Sequence, residues 1–140
     1  MIDRSDGDIL EAVREATDGE GVSAVYDAVG AATIEQSILA TQRRGICVLY
    51  GAASGPVTTV DTSLIQQAGS IFLTRPGLGD HLRDAAEYRE RLADLFTGHE
   101  PGNLKPHISA EFPLSGIPES LTQITSGVTT GKLLIHPSLR

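Results

Sequence analysis

The chain predicts an α/β fold on an open parallel sheet, and three stretches carry that prediction. Val22-Ser23-Ala24-Val25-Tyr26-Asp27-Ala28-Val29-Gly30 is an apolar strand that runs into a glycine turn. Gly45-Ile46-Cys47-Val48-Leu49-Tyr50-Gly51-Ala52-Ala53-Ser54-Gly55 repeats the pattern further along. Between them, Ala32 to Ala40 reads as a helix. Strand, helix, strand at this spacing is a βαβ unit. Ligands of such sheets lie beyond the carboxyl ends of the strands, where both glycine turns fall. The pattern therefore places a nucleotide site at those turns.

The remaining elements follow in order. Met1-Ile2-Asp3 reads as the last residues of a strand. Asp6 and Asp8 introduce a helix whose apolar positions Ile9, Leu10, Val13 and Ala16 recur at helical spacing. Its acidic first turn suits the positive end of the helix dipole, and Asp18-Gly19-Glu20-Gly21 ends it. Beyond the second glycine turn, Asp61 or Thr62 caps a short helix through Leu64, Ile65, Gln66 and Gln67, which Gly69 stops. Ser70-Ile71-Phe72-Leu73-Thr74 is a further strand, closed by Arg75-Pro76-Gly77. A long amphipathic helix spans Arg83 to Thr97, with Ala85, Tyr88, Leu92, Leu95 and Phe96 on one face. After Gly98 the texture changes: Pro101, Pro106 and Pro113 punctuate short segments, and Lys105 to Ile108 is an extended piece. Leu121 to Ile124 gives one more short helix, and Lys132 to His136 a closing strand.

Composition narrows the function classes. The 140 residues suffice for one domain with a core, and 40% hydrophobic with 21% charged residues is ordinary for a globular protein. A net charge of −7 argues against a nucleic-acid surface, which is normally basic. With 4% aromatic residues and no Trp, platforms for stacking single strands are not expected either. Cys47 is the only cysteine, so no intrachain disulfide can form. That suits a reducing compartment. No apolar stretch reaches the length of a membrane span, and the acidic N-terminus does not read as a signal peptide. The expectation is a cytoplasmic chain with no membrane or nucleic-acid partner.

Few residues carry chemistry by spacing alone. A glycine-rich turn such as Tyr50 to Gly55 lets the backbone approach a ligand and offers main-chain donors. A tight strand-to-helix connection is the competing reading. Asp27 reads first as a cap for the following helix, and second as a ribose or catalytic carboxylate. His81, His99, His107 and His136 show no metal-ligand spacing, and one cysteine cannot supply a zinc site with soft ligands. Arg43-Arg44 reads as a solvated surface pair. No G-x-S-x-G elbow occurs, and no catalytic constellation emerges.

Taken together, Val25 to Gly30, Leu39 to Gly45, Tyr50 to Gly55 and Leu73-Thr74-Arg75-Pro76 resemble the zinc-independent NADPH:quinone oxidoreductases of the medium-chain dehydrogenase/reductase superfamily. The resemblance runs in order over essentially the whole chain, down to Thr130 to Ile135. It implies a partial Rossmann-type parallel sheet with flanking helices, the second half of a dinucleotide-binding domain, over residues 1–98. It also implies a C-terminal segment, residues 99–140, that returns to an N-terminal catalytic domain. The chain departs from the family where a G-x-G-x-x-G should precede a helix and hold the pyrophosphate. The expectation is therefore a C-terminal fragment of such an enzyme, inactive alone and with weak or absent NADPH binding. The alternative is a non-catalytic dimerisation or weak nucleotide-binding module.

The same resemblance implies the site residues. Arg4 follows the second Rossmann strand, where NADPH-dependent relatives place a contact to the 2′-phosphate, although a plain surface arginine is the competing reading. Ala28 and Val29 match the apolar wall near the adenosine. Tyr50, Gly51 and Ser54 match the turn beside the nicotinamide ribose. Leu73, Thr74 and Arg75 match the strand end that meets the carboxamide, and Lys132 a distal contact. A quinone-type acceptor is implied for the complete protein. So is a homodimer through the strand over residues 70–74, an apolar run without proline or charge.

Overall fold

In the computed structural model, which describes residues 8–82, 84–99 and 103–138, the expected βαβ unit is the centre of a three-stranded sheet. Strands β1 (Val22–Asp27), β2 (Thr41–Leu49) and β3 (Phe72–Thr74) run parallel in the order β1-β2-β3. The expected strand over residues 1–3, and Arg4 with it, lie outside the described residues.

Helix α1 (Ile9–Ala16) starts where its sequence says it should: the Asp8 carboxylate accepts the Leu10 amide at 2.8 Å. Helix α2 (Ile34–Ala40) begins later than expected, because Ala31 to Thr33 form a turn. Helix α3 (Thr62–Gln67) is capped by Asp61, which accepts the Ser63 amide at 2.8 Å. A four-residue helix, α4 (Leu78–His81), follows β3.

Strand β2 is longer than its apolar run. Val22 pairs with Thr41 and Ala24 with Ile46, so the residues between Thr41 and Ile46 bulge out of the ladder. Arg44 takes a positive φ of 59° there and donates its amide to Gly69 O at 3.0 Å. Both arginines of the bulge are exposed. Strand β3 starts two residues after Ser70, which has a positive φ of 58° and so cannot join a ladder.

The register sets the two faces of this sheet. Val25, Cys47 and Leu73 align on one face. There Cys47 and Leu49 meet Ile34, Ile38 and Ile71 in a closed apolar cluster, with Leu64, Ile65, Val57 and Val60 packed around it. Ala24, Ile46 and Phe72 align on the other face, where Tyr26 and Phe72 are exposed.

The chain divides into two units, one up to residue 83 and one from residue 84. In the second, helix α5 (Ala85–His99) is followed by β4 (Ile108–Pro113), a 3₁₀ turn over Leu114–Gly116, α6 (Ile117–Thr125) and β5 (Lys132–His136). Strands β4 and β5 pair in parallel, with α6 as the crossover. The extended piece expected at residues 105–108 thus continues into a strand, and α6 begins several residues before Leu121, with Pro118 in its first turn. Proline is tolerated there because the first amides of a helix have no partner within it. Helix α5 belongs to the second unit.

Candidate functional site

All three strands of the first sheet end together. Asp27 pairs with Leu49, and Val48 with Thr74. The residues that follow, Ala28 to Gly30, Tyr50 to Gly55 and Arg75, therefore gather at the carboxyl edge, where open parallel sheets hold ligands.

Asp27 organises this edge. It is buried, at 4% exposure. Its Oδ1 accepts the amides of Val29 and Gly30 at 2.8 and 2.9 Å. Its Oδ2 accepts the hydroxyls of Thr33 and Ser37, each at 2.8 Å. Burial alone would raise the carboxyl's pKa, but the bonds from Gly30, Ser37, Thr33 and Val29 outweigh it and hold the group below its ordinary value. Asp27 therefore ties the strand end to the start of α2, with its carboxylate oxygens turned into the protein and bonded there.

The two glycine turns interlock. Tyr50 and Gly51 donate their amides to Asp27 O at 2.9 and 3.2 Å, and Ala53 donates to Ala28 O at 3.3 Å. Ser54 donates both its amide and its hydroxyl to Val29 O, each at 2.7 Å, and its Oγ accepts the Ala32 amide at 2.9 Å. Ala31 donates to Gly55 O at 3.2 Å. Glycine is required twice. A Cβ on Gly51 would run into the Ala28 backbone, and Gly30 has a φ of 92° with Gly55 O only 2.7 Å from where its Cβ would stand. The amides expected to face a ligand are thus largely committed to holding one turn against the other. What the edge offers outward is shape, the exposed Tyr50 ring and the apolar surface of Ala28 and Val29.

At the end of β3, half-buried Leu73 packs on the core, Thr74 is exposed, and the Arg75 guanidinium donates to Val57 O at 3.3 Å. Lys132 belongs to the second unit, where it is exposed and its amide donates to His107 O at 2.8 Å. The structure thus brings Ala28, Val29, Tyr50, Gly51 and Ser54 into one hydrogen-bonded unit, with Thr74 and Arg75 at the end of the strand beside it. Sequence reasoning missed the partners Thr33 and Ser37. Their signal is two hydroxyl residues one helical turn apart, just after a strand-ending aspartate.

Comparison with known proteins decides the family. A family model described as zinc-binding dehydrogenase matches residues 1–135. The chain belongs to the zinc-binding dehydrogenase family. It is 37% identical over 137 residues to a quinone oxidoreductase of Pseudomonas aeruginosa, covering 97% of this chain and 42% of that relative. It is 33% identical to a 2-haloacrylate reductase of a Burkholderia species, covering 97% of this chain and 41% of the relative. The structure of an Escherichia coli quinone oxidoreductase complexed with NADPH superposes with a TM-score of 0.89 at 33% identity, over 97% of this chain and 42% of that one. The chain thus spans about two-fifths of the length of these relatives and corresponds to a C-terminal portion of a medium-chain dehydrogenase/reductase protein.

The family description names zinc, but the described residues do not fit it. No group of three or more His, Cys, Asp or Glu side chains among them could hold a metal ion. Cys47, the one soft ligand, is fully buried, and burial with the nearby Asp27 charge pushes its thiol up to about 11.

Proposed function

We propose that this chain forms part of the cofactor-binding wall of a zinc-independent NADPH-dependent quinone oxidoreductase, which transfers hydride to a quinone or a similar electron-poor acceptor. One observation carries the reading: the interlocked glycine turns stand at the carboxyl edge of a parallel sheet in a chain that matches quinone oxidoreductases along 97% of its length. In this reading Ala28 and Val29 face the adenosine, Tyr50, Gly51 and Ser54 the nicotinamide ribose, and Leu73, Thr74 and Arg75 the carboxamide. Lys132 is a distal contact, and Arg4, outside the described residues, meets the 2′-phosphate. When bound, NADPH supplies the hydride, so the chain contributes orientation and exclusion of water rather than an acid and a base. A cytoplasmic location belongs to the same reading. Among the described residues, no helix is long and apolar enough to cross a membrane.

The 140-residue chain is proposed to be inactive by itself, since it spans about two-fifths of its relatives. Calorimetry should find NADPH bound no more tightly than a Kd of about 1 mM, roughly −4 kcal/mol, the most that a few ribose and main-chain contacts would leave. Micromolar binding would show that more of the site works in this chain than the reading allows. Quinone-dependent NADPH oxidation clearly above an empty-vector control would overturn the proposed inactivity.

A second reading, a module that self-associates, is favoured by the position of β3. That strand lies at the sheet edge, and Phe72 on it is 65% exposed. Unpaired apolar edges invite pairing with another chain. Light scattering should find a dimer, and Phe72→Pro, which removes a ladder donor, should abolish it. A monomer at high concentration would exclude this reading.

A further inference from the structure

The geometry assigns Ser54 and Asp27 a joint role as positioning residues that fix the two peptide groups flanking Val29, and with them the apolar wall at the first glycine turn. The inference rests on the cofactor reading above and concerns how that wall is built. Val29 is gripped from both sides: Asp27 holds its amide at 2.8 Å, while Ser54 holds its carbonyl through both hydroxyl and amide at 2.7 Å. The two grips come from different strands, since Ser54 follows β2 and Asp27 ends β1. The Ser54 hydroxyl has one proton, which goes to Val29 O, and its oxygen also accepts the Ala32 amide. With its one proton given to Val29 O, the hydroxyl has none to donate to a ribose, and its oxygen keeps a single lone pair that could accept from one.

Asp27 is in turn held by Ser37, one helical turn beyond Thr33 on α2. A chain of bonds therefore runs from helix α2 through Asp27 and Val29 to the second turn. Its members act on a bound nucleotide through Val29, not through their own polar atoms.

The test uses the 140-residue chain, its Ser54→Ala, Ser54→Thr and Ser37→Ala variants, and NADPH as the probe. Affinity is read by calorimetry, and amide exchange at Ala32, Val29 and Gly30 by NMR without ligand. Each lost bond should weaken NADPH binding by about threefold to tenfold, the size of a net hydrogen bond. Ser54→Ala should speed exchange at Ala32, Ser37→Ala should do so at Val29 and Gly30, and Ser54→Thr should restore parental affinity. Weakening by Ser54→Ala alone, with Ser37→Ala unaffected, would make Ser54 a direct contact and overturn the positioning role. Parental affinity in both alanine variants would overturn it as well while leaving the cofactor reading intact. If the parent chain shows no saturable NADPH binding, amide exchange alone decides, and unchanged exchange at Ala32, Val29 and Gly30 in the alanine variants overturns the positioning role.

Discussion

Helix α2 and helix α5 show two ways for this chain to hold a helix. α2 has seven residues and buries Ile34, Ile38 and Ala40. α5 has fifteen and buries none. Short helices are marginal in water, so α2 depends on what it packs against: Cys47 and Leu49 on the sheet, and the Asp27 carboxylate near its first turn. α5 relies on local devices instead. Asp84 accepts the amides of Ala86 and Glu87 at 2.9 Å, and Arg91 pairs with Glu87 one turn back. The first arrangement makes helix and sheet one cooperative body, and the second leaves a helix stabilised by its own ends and surface.

The largest effect expected from that contrast is in the core. Ile38 is fully buried, so Ile38→Ala should cost about 2–5 kcal/mol in chemical denaturation. The same truncation at Leu95 on α5, which is 54% exposed, should stay within about 0.5 kcal/mol. Equal losses at the two sites would erase the distinction between the helices.

Next in size is the polar anchor of α2. Asp27→Asn keeps the shape but replaces a charged acceptor that takes amide and hydroxyl bonds, and should cost about 1–3 kcal/mol. The pH dependence has a definite sign. The folded carboxyl titrates below its ordinary value of 3.8. Its contribution is therefore full above that value and is lost as the pH falls through the lower folded one. Denaturation midpoints of the parent should drop on acidification below about pH 4, and Asp27→Asn should flatten that fall. A parallel decline in both proteins would assign acid sensitivity to other carboxylates.

Much of the first unit was legible in the sequence because its signals are local and agree with one another. The apolar runs, the two glycine turns and the caps at Asp8 and Asp61 each mark a boundary that the structure keeps. The misses arose where distant partners decide. Nothing local announces that Thr41 to Gly45 joins β2 as a bulge, since that depends on pairing with Val22 and on the bond from Arg44 to Gly69. Likewise, residues 108–113 end at a proline and read as a broken segment until β5 pairs with them. At the site, the glycines showed where two backbones come close. That the close partner is the neighbouring turn is information held only in three dimensions.

A smaller effect is expected at the start of α5. Asp84→Ala removes the side chain that accepts the Ala86 and Glu87 amides, and the loss of such a cap costs about 1 kcal/mol of helix stability. Because α5 buries nothing, the loss should appear as faster amide exchange in its first turn, with no shift at Ile38 or Cys47. Exchange that accelerated in both units would show that they unfold as one.

The smallest effect belongs to the pair between Arg91 and Glu87. Their atoms stand 2.9 Å apart at the spacing of neighbouring turns, with the Arg91 side chain 60% exposed. Hydrogen bonding to Glu87, aided by the charges of Glu87, Glu90 and Asp94, raises the guanidinium's pKa, but arginine is charged at any working pH, so no titration follows. Water solvates both partners, and ordering two long side chains offsets most of the attraction. Arg91→Gln should therefore leave the thermal midpoint unchanged within error, at low salt and high salt alike. A clear drop that salt abolishes would mean that surface charge, rather than the cap at Asp84, sustains this helix, and that local charge can replace the burial on which α2 depends.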